Sequence, residues 1–164
     1  MRIETNRIVI RDFERKDAEN LYIIAKIDEP EMARLKFSKK EDAPKFLWED
    51  ALFEIFLNPS GDYKNYYQIV VHPSGYFQPR VYPAAAEKKD MGVKVRTYLG
   101  KDFWSAEIKL PLSSMSNLKD FLGDIWGMNF CRVRRTVKPG EYSCWSPTFG
   151  DFNRPERFGR VVIK

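Results

Sequence analysis

Short runs of β-branched and aromatic residues, each ended by a turn, dominate this sequence. Such runs favour strands, because branched and ring-bearing side chains pack well on a pleated surface. Proline and glycine in the segments 58–62 and 72–75 provide the dihedrals of the intervening turns. Strands are predicted at residues 7–11, 21–27, 53–57, 66–71, 76–82, 93–99, 104–110, 126–135, 141–145 and 160–163. This spacing predicts an all-β fold, an antiparallel β-sandwich whose two inner faces share an aromatic core.

Helical periodicity is weak by comparison. One short helix is predicted over residues 113–122, where Leu118, Phe121 and Leu122 form an apolar stripe before Gly123. The chain shows no internal repeat, linker or low-complexity segment. With 43% hydrophobic residues in 164, it is expected to form a single domain over residues 1–164.

Charge and hydropathy narrow the range of partners. The net charge of +5 arises from 28 basic and 23 acidic residues scattered over the whole length, so a nucleic-acid partner is not expected. No apolar run approaches the roughly 18 to 20 residues of a membrane span. The segment 1–6 lacks the apolar region of a signal peptide, which indicates either a cytoplasmic protein or one whose leader has been removed.

Catalytic motifs are not apparent. The chain has one histidine, His72, and a Ser-His-Asp or Cys-His mechanism would have to be built around it. A turn position before Pro73 accounts for this histidine without any catalytic partner. Neither a phosphate-binding glycine-rich loop nor a Cys/His metal spacing is present. The sequence therefore predicts a protein that is not an enzyme.

One carboxylate falls on a half-apolar strand face. In the strand 53–57, alternation places Phe53, Ile55 and Leu57 on one face and Glu54 on the other, beside Leu52 and Phe56. Burying a carboxylate without a partner costs on the order of several kcal/mol. Glu54 is therefore expected to have a ligand, access to water, or an ion-pair partner such as Arg132.

The two cysteines flank a predicted hairpin. The segment 138–140 supplies the turn, and Cys131 and Cys144 lie nearly opposite each other on its two strands. Two interpretations stay open: a cross-strand disulfide, or two half-buried free thiols.

Eight segments in a fixed order carry a family resemblance. They are 21–23, 28–31, Trp48 with Glu54, 66–68, 104–112, 126–132, 145–147 and 155–159. From about residue 20 to the C-terminus, the chain resembles the family 9 carbohydrate-binding modules, a branch of the wider DOMON-type β-sandwich superfamily.

The resemblance implies a β-sandwich that holds the end of a glycan between two tryptophan rings. Trp48 matches the first ring, Glu54 the acid that accepts hydrogen bonds from sugar hydroxyls, and Trp145 the second ring. Modules of this kind are often non-catalytic parts of secreted xylanases and other polysaccharide-degrading enzymes. The resemblance thus implies an oligosaccharide or polysaccharide partner, a tethered glycoside hydrolase, and an extracellular or periplasmic location.

Further polar contacts are predicted around the acid. Gln68 and His72 fall on the Glu54 side of the strand 66–71, although Val70 interrupts that row. Asn129 and Tyr142 are close in sequence to the second half of the site and offer further hydroxyl partners. Trp48 and Trp145 could instead be buried and anchor the core. Trp104 and Trp126 have apolar neighbours on their strand faces and are predicted to be buried.

Three alternatives concern metals and other ligands. Some relatives bind structural calcium, and oxygen ligands are available at Asp28, Glu29 and Glu31 or at Asn58 and Asp62, although Asx turns explain both clusters without a metal. The wider superfamily also contains haem-binding domains, which would use His72 with Met128. A third alternative, an anionic polymer, is suggested by two basic groups. One is the basic row of Arg132, Arg134, Arg135 and Lys138, and the other comprises Arg154, Arg157 and Arg160. A degenerate sugar site would leave a structural or interaction domain.

Overall fold

The computed structural model describes residues 3–4, 9–10, 19–84, 86–87, 91–115 and 125–162. The strands are β1 (Ile3–Glu4), β2 (Val9–Ile10), β3 (Asn20–Asp28), β4 (Leu52–Asn58), β5 (Tyr67–Val71), β6 (Phe77–Val81), β7 (Ala86–Glu87), β8 (Lys94–Leu99), β9 (Phe103–Pro111), β10 (Ile125–Arg134), β11 (Glu141–Cys144) and β12 (Gly159–Val162). Helix α1 spans Ala43–Phe46, and short 3-10 turns cover Met32–Arg34, Leu47–Glu49, Leu112–Ser114 and Pro155–Arg157.

The strands form two main antiparallel sheets and a small hairpin. The larger sheet has the order β11-β10-β4-β5-β6-β7, and β12 pairs with the first half of β10 beside β11. The smaller sheet has the order β3-β9-β8, and β1 pairs with β2.

The main core lies between the two sheets. Phe53, Ile55 and Leu57 from β4 pack in one buried cluster with Trp104 and Ile108 from β9. Trp126 belongs to the same cluster, so the predicted burial of Trp104 and Trp126 is confirmed. The prediction of an all-β sandwich is confirmed as well.

The outer face of the larger sheet is also covered along its central strands. Leu52 and Val70 are buried against Leu47, and Phe56 is buried against Tyr66 and Phe158. Every residue of β4 and β5 is consequently buried. This second layer explains why the polar side chains on the outer face of these strands lie away from bulk water.

The predicted strands agree closely with those observed from β3 onward, and most boundaries differ by one residue. In the predicted strand 7–11, only β2 is described. The helix predicted over 113–122 lies largely outside the described residues, and its first residues belong to the 3-10 turn at Leu112–Ser114. Among the residues described, no helix is long and apolar enough to cross a membrane.

Candidate ligand-binding cleft

A cleft of about 430 Å³ opens on the outer face of the larger sheet. We call it the Glu54 cleft. Its floor is formed by side chains of β4, β5, β6 and β10, namely Glu54, Gln68, Arg80 and Val133. Its walls are formed by Trp48, Tyr82, Arg135, Tyr142 and the loop 150–153.

Strand register brings the polar floor together. Gln68 pairs with Arg80 across β5 and β6, and the Tyr82 backbone N–H donates to the Tyr66 carbonyl, which continues the same register. Glu54 lies on the adjacent strand, on the same side of the sheet. Side chains at alternate positions share a face, so one short stretch of sheet presents an acid, an amide, a guanidinium and a phenol to the cleft.

Hydrogen bonds hold the acid and the amide in fixed orientations. The Gln68 Nε2 donates to Glu54 Oε2 at 2.7 Å, and the Tyr82 hydroxyl donates to Gln68 Oε1 at 2.9 Å. The Tyr82 ring stacks on Tyr66 with centroids 4.3 Å apart, and the Tyr66 hydroxyl reaches Asn153 Oδ1 at 3.3 Å. The chain of contacts runs from the floor to the loop wall, so Glu54 is preorganised before any ligand arrives.

Burial raises the pKa of the Glu54 carboxyl group. Glu54 is only 4% exposed, and desolvation raises its pKa to about 7 despite the hydrogen bond from Gln68, with the nearby charge of Asp151 adding to the rise. At neutral pH the carboxyl group therefore exchanges between its neutral and charged forms. Such a group both donates and accepts hydrogen bonds, which suits a hydroxylated ligand.

The rim carries two exposed aromatic rings joined by one guanidinium. Trp48 is 49% exposed and Tyr142 is 58% exposed. Arg135 Nη2 donates to the Trp48 carbonyl at 2.9 Å, and its Nη1 donates to the Tyr142 hydroxyl at 2.6 Å. The guanidinium carbon of Arg80 lies 5.7 Å from the centroid of the Trp48 ring. Two large aromatic surfaces therefore border a polar floor.

Trp145 lies outside this cleft. The β10–β11 register sets Cys144 opposite Cys131, so the next residue lies opposite Phe130 and on the other side of the sheet. The Trp145 and Phe130 ring centroids are 6.0 Å apart, and a Cβ at Gly159 would overlap the Trp145 ring. Although Trp145 is 55% exposed, the structure does not bring it to Glu54.

His72 and Asn129 are held inside the fold. His72 is fully buried, with Nε2 2.9 Å from Asp50 Oδ2 and Nδ1 2.7 Å from the Ser74 hydroxyl. Asn129 is fully buried too, and exchanges hydrogen bonds with the backbone of Ser146. Neither residue lines the Glu54 cleft, whereas the predicted Trp48, Glu54, Gln68 and Tyr142 all do.

The ion pair proposed between Glu54 and Arg132 is absent, because Arg132 pairs with Glu29. Arg132 Nη2 and Arg134 Nη2 each lie 2.8 Å from the fully buried Glu29 carboxylate. Burial alone would raise the pKa of Glu29, but hydrogen bonds from Arg134, the Glu31 backbone and Thr136 lower it to about 2. Half of the basic row suggested for an anionic polymer is thus used inside the fold.

In the part of the chain that the structure describes, the side chains suggested as calcium or haem ligands mostly contact other protein groups. Two guanidinium groups occupy the Glu29 carboxylate, and Asp62 accepts hydrogen bonds from the Lys64 and Asn65 backbone. Over the described parts of the chain, no three His, Cys, Asp or Glu side chains cluster as metal ligands do. Both His72 ring nitrogens have protein partners, and Met128 packs in the main core, which does not suit a haem site.

Several residues of the cleft were not among those predicted. Arg80 and Tyr82 could have been found from the alternation of the predicted strand 76–82, because they follow the Glu54 face. Arg135, Asp151 and Asn153 come from a strand end and a loop, for which the sequence has no periodic signal.

No family model and no curated protein matches the sequence. Solved structures do match its fold. A family 9 carbohydrate-binding module from Caldicellulosiruptor kristjanssonii, in complex with cellotriose, superposes with a TM-score of 0.65 at 17% identity, over 89% of this chain and 70% of that one. The module from that organism in complex with glucose gives 0.64 at 17% identity, over 88% and 71%. A candidate carbohydrate-binding protein from Bacteroides uniformis gives 0.62 at 17% identity, over 88% and 72%. The chain has the fold of the family 9 modules.

Proposed function

We propose that this chain is a non-catalytic carbohydrate-binding module, and that the end of an oligosaccharide or polysaccharide occupies the Glu54 cleft. One observation carries the proposal. A carboxyl group with a raised pKa is held by hydrogen bonds at the base of a cleft that two exposed aromatic rings border.

The residue types suit a sugar ring. The C–H face of a pyranose packs on an indole or phenol, so Trp48 and Tyr142 are the proposed stacking surfaces. Hydroxyl groups need donors and acceptors in the plane of the ring, and Glu54, Gln68 and Arg80 supply both kinds. In this assignment Tyr142 takes the place of the second ring that the sequence resemblance gives to Trp145.

The two complexed modules bind glucose and cellotriose, which supports a neutral, glucose-like sugar as the first ligand to test. Cellulose and xylan chains end in sugars with equatorial hydroxyls of this kind. We further propose that the chain serves a secreted glycoside hydrolase as an attached module. Tethering would raise the effective concentration of that enzyme at its substrate.

A titration with a panel of soluble oligosaccharides tests the proposal. Wild type should bind at least one glycan, as followed by tryptophan fluorescence and calorimetry. Trp48→Ala should weaken that binding by about 1–3 kcal/mol, or roughly five- to 150-fold. The matched control is Trp145→Ala, which removes a similarly exposed tryptophan outside the cleft and should leave the affinity unchanged. A folded wild type that binds no glycan in the panel would contradict the proposal.

A further inference from the structure

Two free cysteines face each other beside the Glu54 cleft. Cys131 on β10 is buried and Cys144 on β11 is half-buried, and the two are direct cross-strand partners. Cys131 is also the cross-strand partner of Glu54 on the other side of β10. The pair therefore sits between the acid on the floor and the strand that carries Tyr142.

The backbone hydrogen bonds between β10 and the segment after β11 show which type of cross-strand pair the two cysteines form. The Trp145 backbone N–H donates to the Phe130 carbonyl at 2.8 Å, so residues 130 and 145 occupy a hydrogen-bonded pair position, although the Phe130 N–H donates to Asn129 Oδ1 and does not return the bond. Such pairs alternate with non-hydrogen-bonded pairs along an antiparallel ladder, which makes Cys131 and Cys144 a non-hydrogen-bonded pair. The Cα atoms of pairs of this type lie about 4.5 Å apart, within the range that disulfides span.

We propose that Cys131 and Cys144 are a thiol modification site that forms a reversible cross-strand disulfide. The bond fastens the short edge strand β11, and with it Tyr142, to β10 beside Glu54. The oxidant is a small-molecule disulfide of the glutathione type. The proposal does not depend on the ligand of the cleft.

The two thiols have different roles in the reaction. Cys144 is accessible, so its thiolate attacks one sulfur of oxidised glutathione, the glutathione S–S bond breaks, and one reduced glutathione leaves. The thiolate of Cys131 then attacks Sγ of Cys144 in the mixed disulfide and displaces the second glutathione. Two protein thiols lose two electrons in total, and one oxidised glutathione becomes two reduced molecules that take up the two protons.

The second step is the slow one. Burial raises the pKa of the Cys131 thiol, and it still does so after Cys144 has formed the mixed disulfide. Only the thiolate attacks, so the closing step should become about tenfold faster for each pH unit in the neutral to mildly alkaline range.

Mass spectrometry of the intact chain in glutathione redox buffer tests the proposal. Wild type should lose two hydrogens, retain no glutathione and resist alkylation. Cys131→Ala should accumulate a glutathione adduct on Cys144, whereas Cys144→Ala should take up none. The oxidised wild type should melt roughly 5–10 °C higher than the same sample after dithiothreitol.

Three results would overturn the inference. The first is a wild type whose two thiols both stay alkylatable in oxidised glutathione, and the second is a wild type that stops at the glutathione adduct. The third is an oxidised form with no higher melting temperature, which would mean that the bond does not fasten β11. The comparison uses one folded chain in two redox states, so a misfolded variant cannot produce these results.

Discussion

Replacing Glu54 with glutamine should stabilise the protein and weaken its proposed sugar binding. The acid is 4% exposed, and its pKa rises from 4.5 to about 7 on folding, chiefly through desolvation. Between those pH values the native state keeps a proton that the unfolded state has lost, so stability falls as the pH rises. Glutamine stays neutral at every pH and can still accept the hydrogen bond from Gln68.

The loss of stability on ionising Glu54 can be calculated from its pKa shift. Each pKa unit corresponds to about 1.4 kcal/mol, so ionising this one group removes about 3 kcal/mol of stability by the time the pH is well above 7. The penalty is absent below pH 4.5. The difference in unfolding free energy between Glu54→Gln and wild type should therefore grow by about 3 kcal/mol from pH 4.5 to pH 8.5.

Urea unfolding of both proteins across this pH range measures that difference directly. All other titrating groups are common to the two chains and cancel in the comparison. A constant difference across the range would refute the raised pKa. A glycan affinity that is unchanged in Glu54→Gln would separately refute the role of the acid in binding.

Three other substitutions test separate parts of the account. Glu29→Gln leaves two guanidinium groups without their buried anionic partner and should lower the free energy of unfolding by about 3 kcal/mol. The wild type should itself lose stability as the pH drops from 4.5 towards 2, because only the charged form of Glu29 pairs with the two arginines. Denaturant unfolding measures both effects. Tyr82→Phe removes the donor to Gln68 and should lower stability by about 1 kcal/mol and weaken glycan binding, as calorimetry would show. Gly159→Ala displaces the Trp145 ring and should cost about 1–3 kcal/mol in thermal unfolding with no change in glycan affinity.

Strand alternation made much of the larger sheet predictable. Period-two patterning identified β4 and placed Glu54 opposite the main core, because a strand that is buried on one face must present its other residues on the second face. It also assigned Trp104 and Trp126 to the core. The same rule would have found Arg80 on β6 and Tyr82 directly after that strand.

The position of Trp145 is set by the pairing of β10 with β11, and it differs from the position that the family resemblance implies. Cys131 and Cys144 were predicted to lie opposite each other, and that register already sets residue 145 against Phe130, on the side away from Glu54. The sequence resemblance alone did not carry this information. The loop 150–153 reaches the cleft, and Arg135 hydrogen-bonds to Trp48 and Tyr142, through contacts between residues that are far apart in the chain. A single sequence has no signal for such contacts.

The site claim is tested most directly by the indole N–H resonances of the four tryptophans in a 15N-labelled sample titrated with cellotriose or another bound glycan. Sugar bound in the Glu54 cleft should cause a saturable shift of the Trp48 signal, which Glu54→Gln weakens, with the signals of Trp145 and the two core tryptophans almost unchanged. A shift confined to Trp145 would contradict it and would place the sugar on the opposite side of the sheet.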